Sequence, residues 1–256
     1  MRSSDDEGAL VNMLHHAFEV GLNFIDTAPT YGNGVSETVI GKAIKGRREK
    51  VIVATKTEAF DPTGILADVE GSLERLGVDV IDLLQFHGGW HDGGDAEVIL
   101  NRGGLETYQK LREQGKIRFI GFSADGPSAG VERMIASGKF DVIQTHYNLM
   151  YQSASDGFSD KGIIPQAEAQ GMGVVLMRST TSNAFQRLMR QYFPKETAGL
   201  DLDSFLLNYA LSNPLVDVAL MSLQSIDDVT WTSTVSNRVD SRLDLRAIHG
   251  RLRSEA

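Results

Sequence analysis

Short apolar runs, many of them rich in β-branched residues, alternate along this chain with stretches whose apolar positions recur at helical spacing. The runs are 22–26 (LNFID), 50–56 (KVIVATK), 80–87 (VIDLLQFH), 117–123 (IRFIGFS), 141–146 (DVIQTH), 173–178 (GVVLMR) and 216–222 (VDVALMS). Such short, nearly continuous apolar segments suit strands of a parallel sheet buried on both faces. Between them the pattern predicts helices over 8–20, 35–45, 64–76, 103–114, 128–137, 161–170 and 201–212, with another starting near Ser225. Turn signals at Gly21, Gly77, Gly115, Gly138, Gly171 and Asn213-Pro214 separate the two kinds of segment. Residues 88–104 read as a Gly-rich loop, and no sequence motif visibly recurs.

No composition break marks a linker, so residues 1–256 are expected to form one βα domain. Its sheet could be an open, doubly wound one or a (β/α)8 barrel. The strand ends favour the barrel. Each apolar run is followed by a polar or ionisable group: Asp26, Lys56, His87, Ser123, Gln144 with His146, Arg178, and Ser222. A barrel gathers all of them on one rim, whereas an open sheet uses mainly those near its switch point. No GxGxxG follows the first strand. The expected fold is therefore α/β, a TIM-type barrel, of which seven strands are readable.

Charge and composition remove several functions. A net charge of −9 and a pI near 5.2 argue against nucleic acid or an anionic membrane as partner. There is no cysteine, hence no disulfide or thiolate metal site. Neither a membrane-length apolar stretch nor a signal peptide is readable, so a cytoplasmic location is the expectation.

The candidate chemistry centres on Tyr31, in the run DTAPTYGNGVSE. A phenol, with a reference pKa of ~10, needs neighbours before it can serve as an acid or base at neutral pH. On a barrel rim Asp26, Lys56 and His87 would come from three successive strands. Lys56 would stabilise the phenolate, Asp26 would hold Lys56 charged and in place, and His87 would hydrogen-bond the phenol or a substrate carbonyl. Singly, each has an ordinary explanation: a turn or cap for Asp26, a solvated end for Lys56, a structural hydrogen bond for His87. Together, at the same end of consecutive strands, they suit proton donation to a carbonyl, with a hydride source opposite. Trp90 reads as a lid or substrate-pocket residue. Ser36-Glu37 reads as a helix cap and first turn with no further role. The His87, His91 and Asp92 spacing matches no strong metal signature.

These residues resemble the aldo-keto reductase family. GLNFIDTAPTYGNGVSETVIGKAI, RREKVIVATK and SLERLGVDVIDLLQFH are similar to its landmark motifs, and KLREQGKIRFIGFS, FDVIQTHYNLM and GMGVVLM to later segments, from about residue 8 to about 236. The resemblance implies a (β/α)8 barrel that binds NADP(H), or less often NAD(H). It also implies a catalytic tetrad of Asp26, Tyr31, Lys56 and His87, with Tyr31 protonating a carbonyl oxygen as hydride is delivered to carbon. Ser123, Gln144, Met177, Arg178, Ser222, Gln224 and Ser225 fall in its cofactor segments.

The chain departs from the family in four places. MRSSDDEGA looks like the loop after the family's first strand, so the barrel is expected to lack its N-terminal hairpin and that strand, leaving strand edges that could self-associate. Met177 stands where an aromatic ring is usual, and Ala124 where an amide is usual. MSLQSIDDV offers no Lys or Arg for a 2′-phosphate, only Ser222 and Ser225 near a helix N-terminus, with Asp227 and Asp228 opposing extra phosphate charge. The expected function is an NAD(P)(H)-dependent carbonyl reductase or alcohol dehydrogenase acting on a small aldehyde, ketone or sugar. Two alternatives are a metal-dependent hydrolase using His87, His146 and Asp26, and a degenerate barrel that binds nucleotide weakly or serves as a non-catalytic partner.

Overall fold

The structure, a computed structural model, describes residues 7–155 and 161–254. Helix α1 (Glu7–Glu19) leads into β1 (Phe24–Asp26), α2 (Val35–Ile44), β2 (Ile52–Thr57), α3 (Pro62–Leu76) and β3 (Ile81–Phe86). Then come α4 (Gly93–Asn101), α5 (Gly104–Glu113), β4 (Ile117–Ala124), α6 (Ala129–Ala136), β5 (Val142–His146), α7 (Ile163–Ala169) and β6 (Gly173–Met177). The rest is α8 (Asn183–Tyr192), α9 (Leu202–Leu211), β7 (Val218–Ala219), α10 (Ile226–Asn237) and α11 (Leu245–Ser254). Among the described residues the seven strands are all parallel and pair in sequence order, making a curled sheet that is part of a (β/α)8 barrel.

Helices α4, α8 and α11 fall where the hydrophobic pattern predicted none. The Gly-rich stretch is helical because Asp92 caps it: its carboxylate accepts from the backbone N–H of Gly94 and Asp95, and Asp95 returns a bond to the Asp92 N–H. Helix α8 begins at a Ser182 cap whose hydroxyl accepts from the Phe185 N–H. The last predicted strand, 216–222, shrinks to two residues. Of the predicted N-terminal loop, residues 1–6 lie outside the described residues.

Register explains why some strand interiors are polar. Lys56 pairs with Gln85, and Ser123 with Gln144, so these four side chains share the concave face of the sheet. The alternate positions, among them Val53, Leu84, Phe86, Ile120, Phe122, Ile143, Val174 and Leu176, face the helices and form the main apolar core. Within it Phe86 stacks on Tyr108 with ring centroids 3.9 Å apart, and the Tyr108 hydroxyl lies 2.7 Å from Thr57 Oγ1. Burial pushes that phenol well above its ordinary pKa, so it stays neutral.

A repeat absent from the sequence reading emerges here. Asp82, Asp141 and Asp217 each sit in register with the preceding strand and accept from its backbone N–H, at Val53, Ile120 and Val174 respectively (2.8, 2.7 and 2.8 Å). Each carboxylate thus ties a strand start to its neighbour, with Arg48 and Arg118 on Asp82 and Arg112 on Asp141.

Strands β1 and β7 pair on one side only among the described residues, and both are half-buried. The helical layer nevertheless continues across this seam. Met13 and Ala17 of α1 pack with Val229 of α10, backed by Leu10, Val20, Leu22 and Leu223. His16 Nε2 lies 2.9 Å from Thr230 Oγ1, and Ser233 donates to the Val20 carbonyl at 2.9 Å.

Candidate active site

The strand ends do meet. Lys56, the last residue but one of β2, is 1% exposed. Its Nζ donates to Asp26 Oδ1 and Oδ2 at 2.8 Å each and to the Thr27 carbonyl at 2.7 Å. A buried ammonium is tolerable because this clasp satisfies it. The Tyr31 hydroxyl lies 3.4 Å from the same Nζ, whose cation also sits 4.9 Å from the centre of the Tyr31 ring. His87 follows β3, and its backbone N–H donates to the Thr57 carbonyl at 3.0 Å, which sets it beside the end of β2. The His87 ring meets the Tyr31 ring edge-on, centroids 5.9 Å apart. Asp26, Tyr31, Lys56 and His87 are therefore one cluster.

The loop carrying Tyr31 is held from behind. Thr27 donates to Ser36 at 2.8 Å, and the backbone N–H of Ser36 donates to the Tyr31 carbonyl at 3.2 Å. Ser36 is not the cap of α2; that position is Gly34, at φ 85°. A side chain there would be strained and would meet Arg75 Cδ at 2.6 Å, which is why the run reads YGNG. Glu37 has more than a first-turn role. It is fully buried, accepts from the Thr55 hydroxyl at 2.6 Å and pairs with Arg75 of α3 at 2.7 Å.

Two residues of the cluster were missed in the sequence. Gln85 donates to Gln144 Oε1 at 2.9 Å and to Asp26 Oδ1 at 3.4 Å, joining the Asp26–Lys56 pair to Gln144. Glu58 accepts from Thr30 at 3.0 Å, and its Oε1 lies 2.5 Å from His87 Nδ1. The available signal was the period of two: Glu58 follows Lys56, and Gln85 precedes His87, by one alternation on the same face.

The cofactor candidates are more dispersed. Ser123 and Gln144 are buried on the concave face. Gln144 Nε2 reaches only distant partners, Asp26 Oδ2 at 3.5 Å and Met177 Sδ at 3.8 Å, so it can still donate elsewhere. Beyond Met177 the backbone turns through positive φ at Arg178 (55°) and Thr181 (68°), the latter strained for a β-branched residue. Ser179 Oγ and Thr181 Oγ1 are buried there without a partner. Ser222, Gln224 and Ser225 are exposed. The N–H groups of Gln224 and Ser225 both donate to Asp228 (2.9 and 3.0 Å), and Ser225 caps α10, so this helix start satisfies itself.

Trp90 is exposed on the loop after His87, against Gly126. His91 turns inward. Its Nε2 lies 2.9 Å from the Ser123 carbonyl, and its ring fills the space where a Gly88 side chain would stand. Burial pushes its imidazole below the ordinary range. Burial, with the Arg178 charge second, does the same to His146, whose Nε2 is 3.3 Å from Asp125 Oδ1. Among the described residues no three His, Asp or Glu side chains converge as metal ligands, and Asp92 is spent on capping α4. A cavity of about 570 Å³ lies at the opposite end of the strands, beside the ends of α2 and α3, away from this cluster. Among the described residues no helix is long and apolar enough to cross a membrane.

A parallel barrel sheet with its polar groups converging at the C-terminal strand ends defines the class of protein. The family follows from comparison: residues 2–239 match the model of the aldo/keto reductase family, and the chain belongs to it. The chain is 34% identical to Aldo-keto reductase YhdN of Bacillus subtilis (strain 168) over 70% of its own length and 54% of that relative's. It is 28% identical to L-galactose dehydrogenase of Arabidopsis thaliana, over 87% of this chain and 76% of that one. Among solved structures it resembles an aldo-keto reductase from Klebsiella pneumoniae in complex with NADPH, with a TM-score of 0.75 and 22% identity over 95% of this chain and 84% of that one. It likewise resembles the holo form of an aldo-keto reductase from Bacillus halodurans, with a TM-score of 0.73 and 25% identity over 94% and 86% of the two chains.

Proposed function

We propose that this chain is an NAD(P)(H)-dependent oxidoreductase that interconverts a carbonyl and an alcohol, with Tyr31 as general acid and base. The observation that carries the reading is the position of Lys56 Nζ, clasped by Asp26 at 2.8 Å and 3.4 Å from the Tyr31 hydroxyl. In reduction Tyr31 gives its proton to the carbonyl oxygen. The Lys56 charge stabilises the phenolate left behind, in a setting that needs no reorganisation. Asp26 keeps the ammonium in place, and His87 orients the carbonyl. In oxidation the phenolate takes the proton back.

The cofactor is NADP(H), named in the Klebsiella pneumoniae complex, or NAD(H). When bound it supplies or accepts the hydride. Ser123 and Gln144 would hold its nicotinamide amide, and Met177 would lie against the ring. The unpartnered hydroxyls of Ser179 and Thr181, with Arg178, suit its phosphates. Ser222, Gln224 and Ser225 would approach the far phosphate, where Asp227 and Asp228 disfavour an additional charge. The substrate is a small aldehyde, ketone or sugar, with Trp90 beside it.

Fluorescence titration with NADPH and NADH, followed by turnover of benzaldehyde, tests this reading. Binding of either nucleotide and loss of turnover in Tyr31→Phe are expected. Binding of neither would favour a non-catalytic barrel, and turnover undiminished in Tyr31→Phe would remove Tyr31 from its role.

A further inference from the structure

Glu58 immediately follows β2, two residues beyond Lys56. Its position is fixed by its own backbone: the N–H groups of Glu58 and Ala59 both donate to Asp68 Oδ2 on α3, at 2.8 and 3.2 Å. Helix α3 therefore holds the turn that carries the carboxylate. The side chain is occupied on the barrel side. Its Oε1 accepts from Thr30, the residue preceding Tyr31, and faces His87 Nδ1 at 2.5 Å. No other side chain hydrogen-bonds His87 among the described residues.

An exposed ion pair between two mobile side chains contributes little. This one differs in construction, because one partner is anchored through its backbone and the other through the His87 N–H to the Thr57 carbonyl. We infer that Glu58 is a positioning residue, which fixes the ring orientation and tautomer of His87 while tethering the Tyr31 loop through Thr30. An ionised carboxylate only accepts hydrogen bonds, so His87 Nδ1 carries a proton. Nε2 is then the nitrogen left to face the substrate: in the neutral ring it accepts from an alcohol hydroxyl, and it donates to a carbonyl oxygen only when the ring carries its second proton. Without Glu58 the imidazole can exchange tautomers and turn about its side-chain bonds, and the rim loses a defined hydrogen-bonding atom.

The inference rests on the carbonyl-reductase reading for its kinetic consequence but not for its structural one, and the experiment separates them. Histidine ¹⁵N–¹H spectra of the full chain, with His87→Asn identifying the resonance, should show a protonated Nδ1 in wild type. Glu58→Gln keeps an acceptor oxygen and should keep that pattern; Glu58→Leu should lose it. With NADPH and benzaldehyde, kcat in Glu58→Leu should fall about 10- to 100-fold, the scale of one hydrogen bond to a charged group. Glu58→Gln should recover most of it, with NADPH affinity unchanged in both. A His87 pattern in Glu58→Leu identical to wild type would overturn the inference, as would an undiminished kcat. If wild type turns over no benzaldehyde, the reductase reading is what fails, and the spectra still decide the role of Glu58.

Discussion

The two open edges of the sheet are built differently. At β1, an edge strand of three half-buried residues, Asp26 is gripped by a buried lysine, Thr27 is bonded to Ser36, and the following loop is backed by the Glu37–Arg75 pair. At β7 the strand is two residues long, and the polar groups that follow, Ser222, Gln224 and Ser225, are exposed. Their backbone needs are met within α10 itself, by Asp228. The difference follows from what each edge would do. Proton transfer needs a geometry set in advance, so its groups are locked by one another. Under the proposed function the groups at β7 would contact phosphate only when a ligand is bound, which fits their solvent-facing position.

Breaking the β1 cluster should have the largest consequence. Tyr31→Phe removes the proposed proton donor, and kcat/KM for benzaldehyde should fall by roughly 10²- to 10⁴-fold with NADPH affinity preserved. Asp26→Asn leaves the Lys56 ammonium buried without its anion, and urea unfolding should show a loss of about 3 kcal/mol. Ser222→Ala at the other edge should stay within about 0.5 kcal/mol of wild type. Equal losses at the two sites would abolish the contrast.

A subtler effect concerns pH. His91 and His146 have folded-state pKa values depressed by burial, so the unfolded chain binds more protons as pH falls. Their contribution to stability is full above the unfolded value of about 6.5 and is lost as pH drops below it. Each histidine contributes a slope of at most about 1.4 kcal/mol per pH unit. Denaturation midpoints between pH 7.5 and pH 5 (both about one unit or more from 6.5) should decline, less steeply in His91→Gln. A further modest change is expected at α10. Asp228→Ala frees the Gln224 and Ser225 N–H groups and removes a negative charge, which should tighten NADPH binding by about 0.3–1 kcal/mol, while loss of the capping box costs about 1 kcal/mol of stability.

Much of this was legible in the chain. A parallel sheet buried on both faces leaves a strong record, since β3 and β4 have few polar positions to confuse the pattern. The cluster was legible because Asp26, Lys56 and His87 each interrupt an apolar run at its end. Helix α8 was missed although both its Ser182 cap and its amphipathic pattern were readable; Leu188 and Tyr192 on it are exposed. Helix α4 was hidden by its glycines, which weaken helix propensity but are tolerated where Asp92 caps them.

The sequence by itself determined the order and type of most elements and the residues that could carry the chemistry. Those depend on local periodicity and on side-chain type, both of which are written residue by residue. Only the tertiary structure decided which groups touch. Glu58 reaches His87 across 29 residues, Gln85 reaches Gln144 across 59, and α1 meets α10 from the far ends of the chain. Such pairings are set by sheet register and helix packing, in which every strand helps position every other, so no single segment contains them.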